Sequence, residues 1–246
     1  MKTALVGLLL FAAIPLQAEE VTVAAASDLS FAMKEIIAGF EHETGYKVRL
    51  TLGSSGNFYA QIASGAPFDV FLSADLNSPR QLEQRGFAVS GSTFVYGIGR
   101  IALWVRQGSP LNLERLGMQA LLDPSVKKIA IANPEHAPYG KAAVAAMEHA
   151  KVYDRAKQRL VLGENISQTA QFVQSGAADV GIIALSIVLS QPMRAAGRYW
   201  TIPPETYPRL EQGAVLLKRA GPGARRFHEW LRGAAARDIL KRYGFD

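Results

Sequence analysis

Short apolar runs alternate with amphipathic stretches from Val21 almost to the end of the chain, and that alternation narrows the fold to one class. Residues 21–25 read as a buried strand. Leu29, Met33, Ile36, Ile37 and Phe40 then recur on one face of a helix that Gly45 closes. The pattern continues with strands at 46–52, 69–72, 101–105, 128–132, 160–162, 179–184 and 214–218. Between them fall helices at 58–64, 78–85, 111–122, 139–151 and 166–175, and a closing helix spans 222–242. Strands regularly separated by helices predict an α/β fold built on parallel strands.

The first residues stand outside this pattern. Lys2 precedes an apolar run over 4–16 interrupted only by Gly7 and Pro15, and the small residue Ala18 follows. This is the layout of a secretory signal peptide over 1–18, although Leu16 is a poor match three residues before the cut. The run is shorter than the roughly 20 apolar residues a permanent membrane helix needs. No later stretch is apolar enough to span a membrane. The chain has no cysteine, which excludes a lipid-anchored amino terminus, disulfides and thiolate metal sites. Its stability must therefore come from its core. The net charge is +6, with a cluster of positive residues (Arg219, Arg225, Arg226, Arg232, Arg237, Lys241, Arg242) beside Phe227, Trp230, Leu231 and Ile239. At helical spacing this is the solvated face of an amphipathic helix. With an export signal, it is no nucleic-acid or DNA-binding patch. The excess positive charge favours anionic ligands by steering.

Three places share one layout, a strand followed by small polar residues and a helix start: Ala26-Ser27-Asp28, Gly53-Ser54-Ser55-Gly56-Asn57 and Pro138-Tyr139-Gly140. In α/β sheets ligands bind at the carboxyl ends of the strands, where free amides and the helix dipole favour anions. Each loop alone is a weak signal. An ordinary helix cap at Ser27 and an ordinary turn at 53–56 account for them equally well.

The strings AAASDL at 24–29, GSSGNFYAQIASGAPFDVFLSAD at 53–75, NPEHAPYGKAA at 133–143 and GENIS at 163–167 change that balance. In this order, over nearly the whole mature chain, they resemble the periplasmic molybdate-binding proteins of ATP-driven (ABC) importers. The resemblance implies a two-lobed periplasmic-binding-protein fold (type II-like), each lobe a mainly parallel sheet flanked by helices, with a ligand cleft between them. Lobe one would comprise 19–96 with 207–246, and lobe two 97–206. It further implies a monomer that is not an enzyme and has no cofactor. Its ligand would be molybdate or tungstate, and its partners a membrane permease and its ATPase subunit.

The resemblance also implies the ligand groups. Ser27 and Ser55 would donate hydroxyl and backbone hydrogen bonds, and Tyr139 and Ile166 would donate from the backbone. Ser54 and Asp28 are further candidates. Some members complete the site with a tyrosine hydroxyl where this chain has Ala184, so the ring of Tyr139 becomes the candidate replacement. A fully ionised oxyanion offers only acceptors, and a lining of N–H and O–H donors satisfies it without a buried cation. Hydrogen phosphate also needs an acceptor, which an all-donor lining lacks. Asp28 is expected to cap the first helix and point away from the cleft. The opposing reading lets its carboxylate take a proton from a protonated oxyanion, or repel a dianion. The rival functions are binding of sulfate or phosphate, and a secreted serine hydrolase. For the latter, only His136 of the four histidines nears a candidate loop, and no Gly-x-Ser-x-Gly elbow occurs.

Overall fold

The computed structural model describes residues 20–246, and the expected signal peptide lies outside them. Ten strands form two five-stranded sheets. The first holds β1 (Glu20–Ala26), β2 (Lys47–Gly53), β3 (Val70–Ser73), β4 (Phe94–Gly99) and β10 (Leu210–Leu216), in the order β2-β1-β3-β10-β4. The second holds β5 (Ile101–Arg106), β6 (Ile129–Ala132), β7 (Leu160–Gly163), β8 (Val180–Ala184) and β9 (Gly197–Thr201), in the order β7-β6-β8-β5-β9. Around the first pack α1 (Ala32–Thr44), α2 (Ser55–Ala63) and α3 (Asn77–Gln84). The second is flanked by α4 (Leu113–Leu116), α5 (Pro138–His149), α6 (Tyr153–Ala156), α7 (Ile166–Ser175), α8 (Leu185–Val188) and α9 (Gln191–Ala196). The chain then returns to the first sheet with α10 (Pro222–Trp230) and α11 (Ala234–Arg242).

The α/β class and the two-lobed arrangement hold. Each sheet has a parallel half, β2-β1-β3 in the first and β7-β6-β8 in the second. To it are added antiparallel pairings made by β10 and by β5, the strands that enter each lobe from the other. The chain passes from one sheet to the other at Arg100, between β4 and β5, and returns between Thr201 and Leu210.

β1 shows why the parallel strands are apolar throughout. Val21, Val23 and Ala25 pack with Leu29, Met33, Ile36 and Phe40 on one face. Ala24 packs with Phe58, Ile62, Phe71 and Val215 on the other. Both faces are covered, so strict alternation is lost. The second lobe has one larger core around Leu103, Trp104, Ile131, Met147 and Ile182. Each large side chain so buried contributes about 1.5–3 kcal/mol.

Several elements differ from expectation. β4 and β9 are not predicted by periodicity, because FVYGIG and GRYWT mix glycine and charge with apolar residues and do not alternate cleanly. The expected helix over 111–122 is a single α turn, α4, followed by a 3-10 segment, Gly117–Leu122; Gly117 sits at φ +51°, outside helical space. The closing helix is two helices. The amides of Arg232 and Gly233 turn back onto the carbonyls of Glu229 and Trp230, and Gly233 is extended at ψ 167°. The basic residues of this segment are exposed, as a solvated face requires.

Candidate functional site

Parallel strands end at one edge, and here the two edges face each other. β1 ends at Ala26, β2 at Gly53 and β3 at Ser73; β6 ends at Ala132, β7 at Gly163 and β8 at Ala184. The loops that follow meet around a small cavity with an empty volume of about 190 Å³. Ser27, Asp28, Ser54, Ser55 and Ala74 line it from the first lobe, and Pro138, Tyr139 and Ile166 from the second. Larger hollows exist at the surface, such as the one near Arg106, Ser125 and Asp179, but that one has no residue from the meeting loops. The centre of a water-sized sphere can move through only about 10 Å³ of it, against about 300–1,000 Å³ in sites for drug-sized ligands, so only a very small guest fits.

Its lining is rich in donors. Ser55 Oγ accepts from the Ala74 amide at 2.8 Å, which leaves its hydroxyl proton to give. Ser54 Oγ is buried and has no partner. Tyr139 and Ile166 lie in the first turns of α5 and α7, where amides have no intrahelical acceptor. These helices have 12 and 10 residues, and their dipoles place partial positive charge at the cavity. No lysine, arginine or histidine lines it. Among the described residues, no cluster of three or more His, Cys, Asp or Glu could hold a metal ion.

The lobes are also bonded directly. Ser27 Oγ donates to Asn165 Oδ1 (3.1 Å) and accepts from the Ser167 amide (3.2 Å), while Ser167 Oγ donates to the Ser27 carbonyl (2.8 Å). The Gly56 amide donates to the His136 carbonyl (2.9 Å), and Ser186 Oγ to the Asp28 carbonyl (2.8 Å). The ring of His136 meets the Glu164 carbonyl at 3.0 Å, so this residue ties two loops of its own lobe.

Asp28 overturns its expected role as a helix cap. The residues after β1 form a 3-10 turn, Ser27–Leu29, with no side-chain cap, and this turn carries the carboxylate inward. It is 1% exposed. Oδ2 accepts from Tyr139 Oη and from Gln212 Nε2, both at 2.9 Å. Gln212 Nε2 also donates to Tyr139 Oη (2.9 Å), and Gln212 Oε1 accepts from Tyr96 Oη (2.6 Å). Oδ1 has no partner. The Tyr139 hydroxyl is therefore spent on Asp28 rather than standing free in the place left by Ala184. The lining is not all donors either, because an ionised Asp28 presents an acceptor.

Burial raises the Asp28 carboxyl to about 6, against the pull of Gln212, of Tyr139 and of the nearby Asp28 and Leu29 amides. Tyr139 and Tyr96 are pushed well above their usual range, foremost by burial and then by the Asp28 charge, so both stay protonated donors. An ionised carboxylate about 4 Å from a unit negative charge is repelled by about 4 kcal/mol at an effective dielectric near 20. Placing a proton on a group one pH unit above its pKa costs about 1.4 kcal/mol. Beside an anion, the neutral acid is the cheaper state.

Ser27, Ser54, Ser55, Asp28, Tyr139 and Ile166 thus come to one place. Sequence reasoning missed Gln212, Tyr96, Asn165, Ser167 and Ser186. Asn165 carried a signal, since it caps α7 by accepting from the Gln168 amide.

Two α/β lobes that enclose a small cavity between strand ends define a class of proteins that clasp a solute. Residues 21–246 match the model of the bacterial extracellular solute-binding proteins, and the chain belongs to that family. Over 97% of its length it is 39% identical to the molybdate-binding protein ModA of Azotobacter vinelandii, spanning 93% of that protein. It is 38% identical over 95% of its length to ModA of Rhodobacter capsulatus, spanning 90% of it. The solved periplasmic molybdate-binding protein of Azotobacter vinelandii superposes with a TM-score of 0.85 at 34% identity, covering 92% of this chain and 98% of that one. The resemblance carried by the loop strings holds: these relatives are molybdate-binding proteins.

Proposed function

We propose that the protein captures molybdate, and with it tungstate, in the cavity between its lobes and delivers it to an ABC-type importer. One observation carries this reading: hydroxyl donors from the first lobe and amide donors from the second converge, without a cation, on one narrow space between the lobes. Ser54 and Ser55 supply hydroxyls, Ser27 joins them by turning its proton from Asn165 Oδ1 to the ion, and the amides of Tyr139 and Ile166 supply the helix-start donors. The ion binds through its oxygens, and no protein atom bonds the metal. Capture draws the lobes together about the two crossings, and the closed form is what the permease and its ATPase subunit recognise. The protein works as a monomer in the periplasm after removal of residues 1–18. It binds rather than catalyses: the His136 ring faces the Glu164 carbonyl and carboxylate, and its hydrogen bond to the serine loop comes from its backbone carbonyl.

Titration calorimetry with molybdate, tungstate, sulfate and phosphate tests this. Molybdate and tungstate should bind, and sulfate should be about tenfold or more weaker, since each buried donor left unpaired by a smaller ion costs about 1–3 kcal/mol. Ser27→Ala and Ser55→Ala should each weaken molybdate binding about tenfold or more. Tight binding in the double variant would remove these residues from the site.

A further inference from the structure

The group least at home in a site for a dianion is Asp28. Its surroundings are arranged with one polarity. Tyr96 gives its proton to Gln212 Oε1 at 2.6 Å, the shorter of its two contacts (the Ser73 carbonyl lies at 3.1 Å), which turns the Gln212 amide nitrogen toward Asp28, and Tyr139 gives its own proton to the same carboxylate oxygen. Both donors fall on Oδ2, leaving Oδ1 buried and unpartnered in a residue that lines the cavity. The amides of Asp28 and Leu29 lie beside the carboxylate and favour its charged form. Tyr139 comes from α5, Gln212 from β10 and Tyr96, through Gln212, from β4; Ser186 from α8 meets its carbonyl. Ser54, Ser55 and Ile166 share the cavity. The only titratable side chains among these are the two tyrosines, and both remain neutral. No cation acts on the carboxyl among the described residues.

We propose that Asp28 is a specificity-determining residue that carries a proton on Oδ1 in the anion-bound state and donates it as a hydrogen bond to the oxyanion, so that capture of each dianion takes up one proton from solvent. This rests on the oxyanion-binding reading and adds to it. No covalent bond changes in the ion: the proton leaves water or buffer, settles on Oδ1 and is shared with an oxygen of the ion. Protonation turns the one carboxylate in the lining from an acceptor into a donor. It thereby restores the all-donor surface that suits a fully ionised oxyanion and gives hydrogen phosphate nowhere to place its own proton. With Asp28 ionised the preference runs the other way.

Molybdate titrations between pH 6 and 8.5, each repeated in buffers of differing ionisation enthalpy, test the proposal on the unaltered protein. Proton uptake should approach one per anion as the free carboxyl becomes fully ionised. The apparent Kd should then rise about tenfold per pH unit, as linkage requires. Asp28→Asn, which supplies an N–H donor without a titratable proton, should bind molybdate with no proton uptake and no pH dependence over this range. Tight molybdate binding without proton uptake in the unaltered protein would overturn the proposal and leave the oxyanion reading standing. Failure of molybdate and tungstate to bind at any pH would overturn both. Because uptake is read on the unaltered chain, the outcome does not depend on the variant folding.

Discussion

Asp28 and His228 are both buried side chains held toward their neutral forms, one in the ligand cavity and one far from it. His228 lies on α10 against the edge of the Phe94 ring, with Nε2 unpartnered. Burial lowers its pKa to about 4; the Arg232 charge adds to this and the Ser92 backbone opposes it. Between the ordinary value of 6.5 and about 4, the unfolded chain binds a proton that the native one refuses, so stability is full above 6.5 and falls as the pH drops through this window. His228→Gln should be less sensitive. Thermal melts at pH 6.5 and 4.5 should show the unaltered protein losing a few °C more than the variant, about 2–4 °C per kcal/mol for a chain of this size. Parallel losses would place the effect elsewhere. The residues of the candidate site were legible to different degrees. Ser27, Ser54, Ser55 and Tyr139 sit where strands give way to helices, a pattern local to the sequence, whereas Ile166 was legible only through the family resemblance. Gln212 and Tyr96 lie inside strands, where nothing nearby announces that a polar atom will reach a partner 116 residues away.

At the scale of elements, one contact between the lobes is backbone on backbone. Gly56, in the first turn of α2, donates to the His136 carbonyl, and a Cβ placed there would sit 2.7 Å from that oxygen and 2.9 Å from the His136 Cα. Gly56→Ala should leave the ligand-free protein as stable or slightly more so, since alanine favours the helix. It should weaken molybdate binding about tenfold or more, the penalty that overpacking by 1–3 kcal/mol implies. Calorimetry beside ligand-free melts separates the two effects, and unchanged affinity would mean that this contact is not part of closure. Elements buried on both faces or carrying one long apolar stripe were readable from period alone. β4 and β9 were not, because FVYGIG and GRYWT neither alternate cleanly nor form an unbroken apolar run.

For the whole molecule, a ligand held at the proposed site would bridge two bodies joined by two crossings, so binding and stability would be linked. Molybdate at 100 times its Kd should add about 2.7 kcal/mol, raising Tm by about 5–10 °C. That gain should vanish in the Ser27→Ala, Ser55→Ala double variant when melted at the same molybdate concentration. The two-lobed fold itself was legible through the loop strings rather than through periodicity, which reports strands and helices but not which sheet each one joins.

β10 is the late arrival that decides how the chain is put together. It lies between β3 and β4 in the first sheet yet follows every strand of the second. As the polypeptide threads out of a ribosome or an export channel, β4 has no neighbour to hold until more than a hundred further residues have emerged. The second sheet, drawn from one unbroken stretch, is already whole by then. The half that begins the protein is thus the half that finishes last, and it waits as an open edge for the strand that seals it.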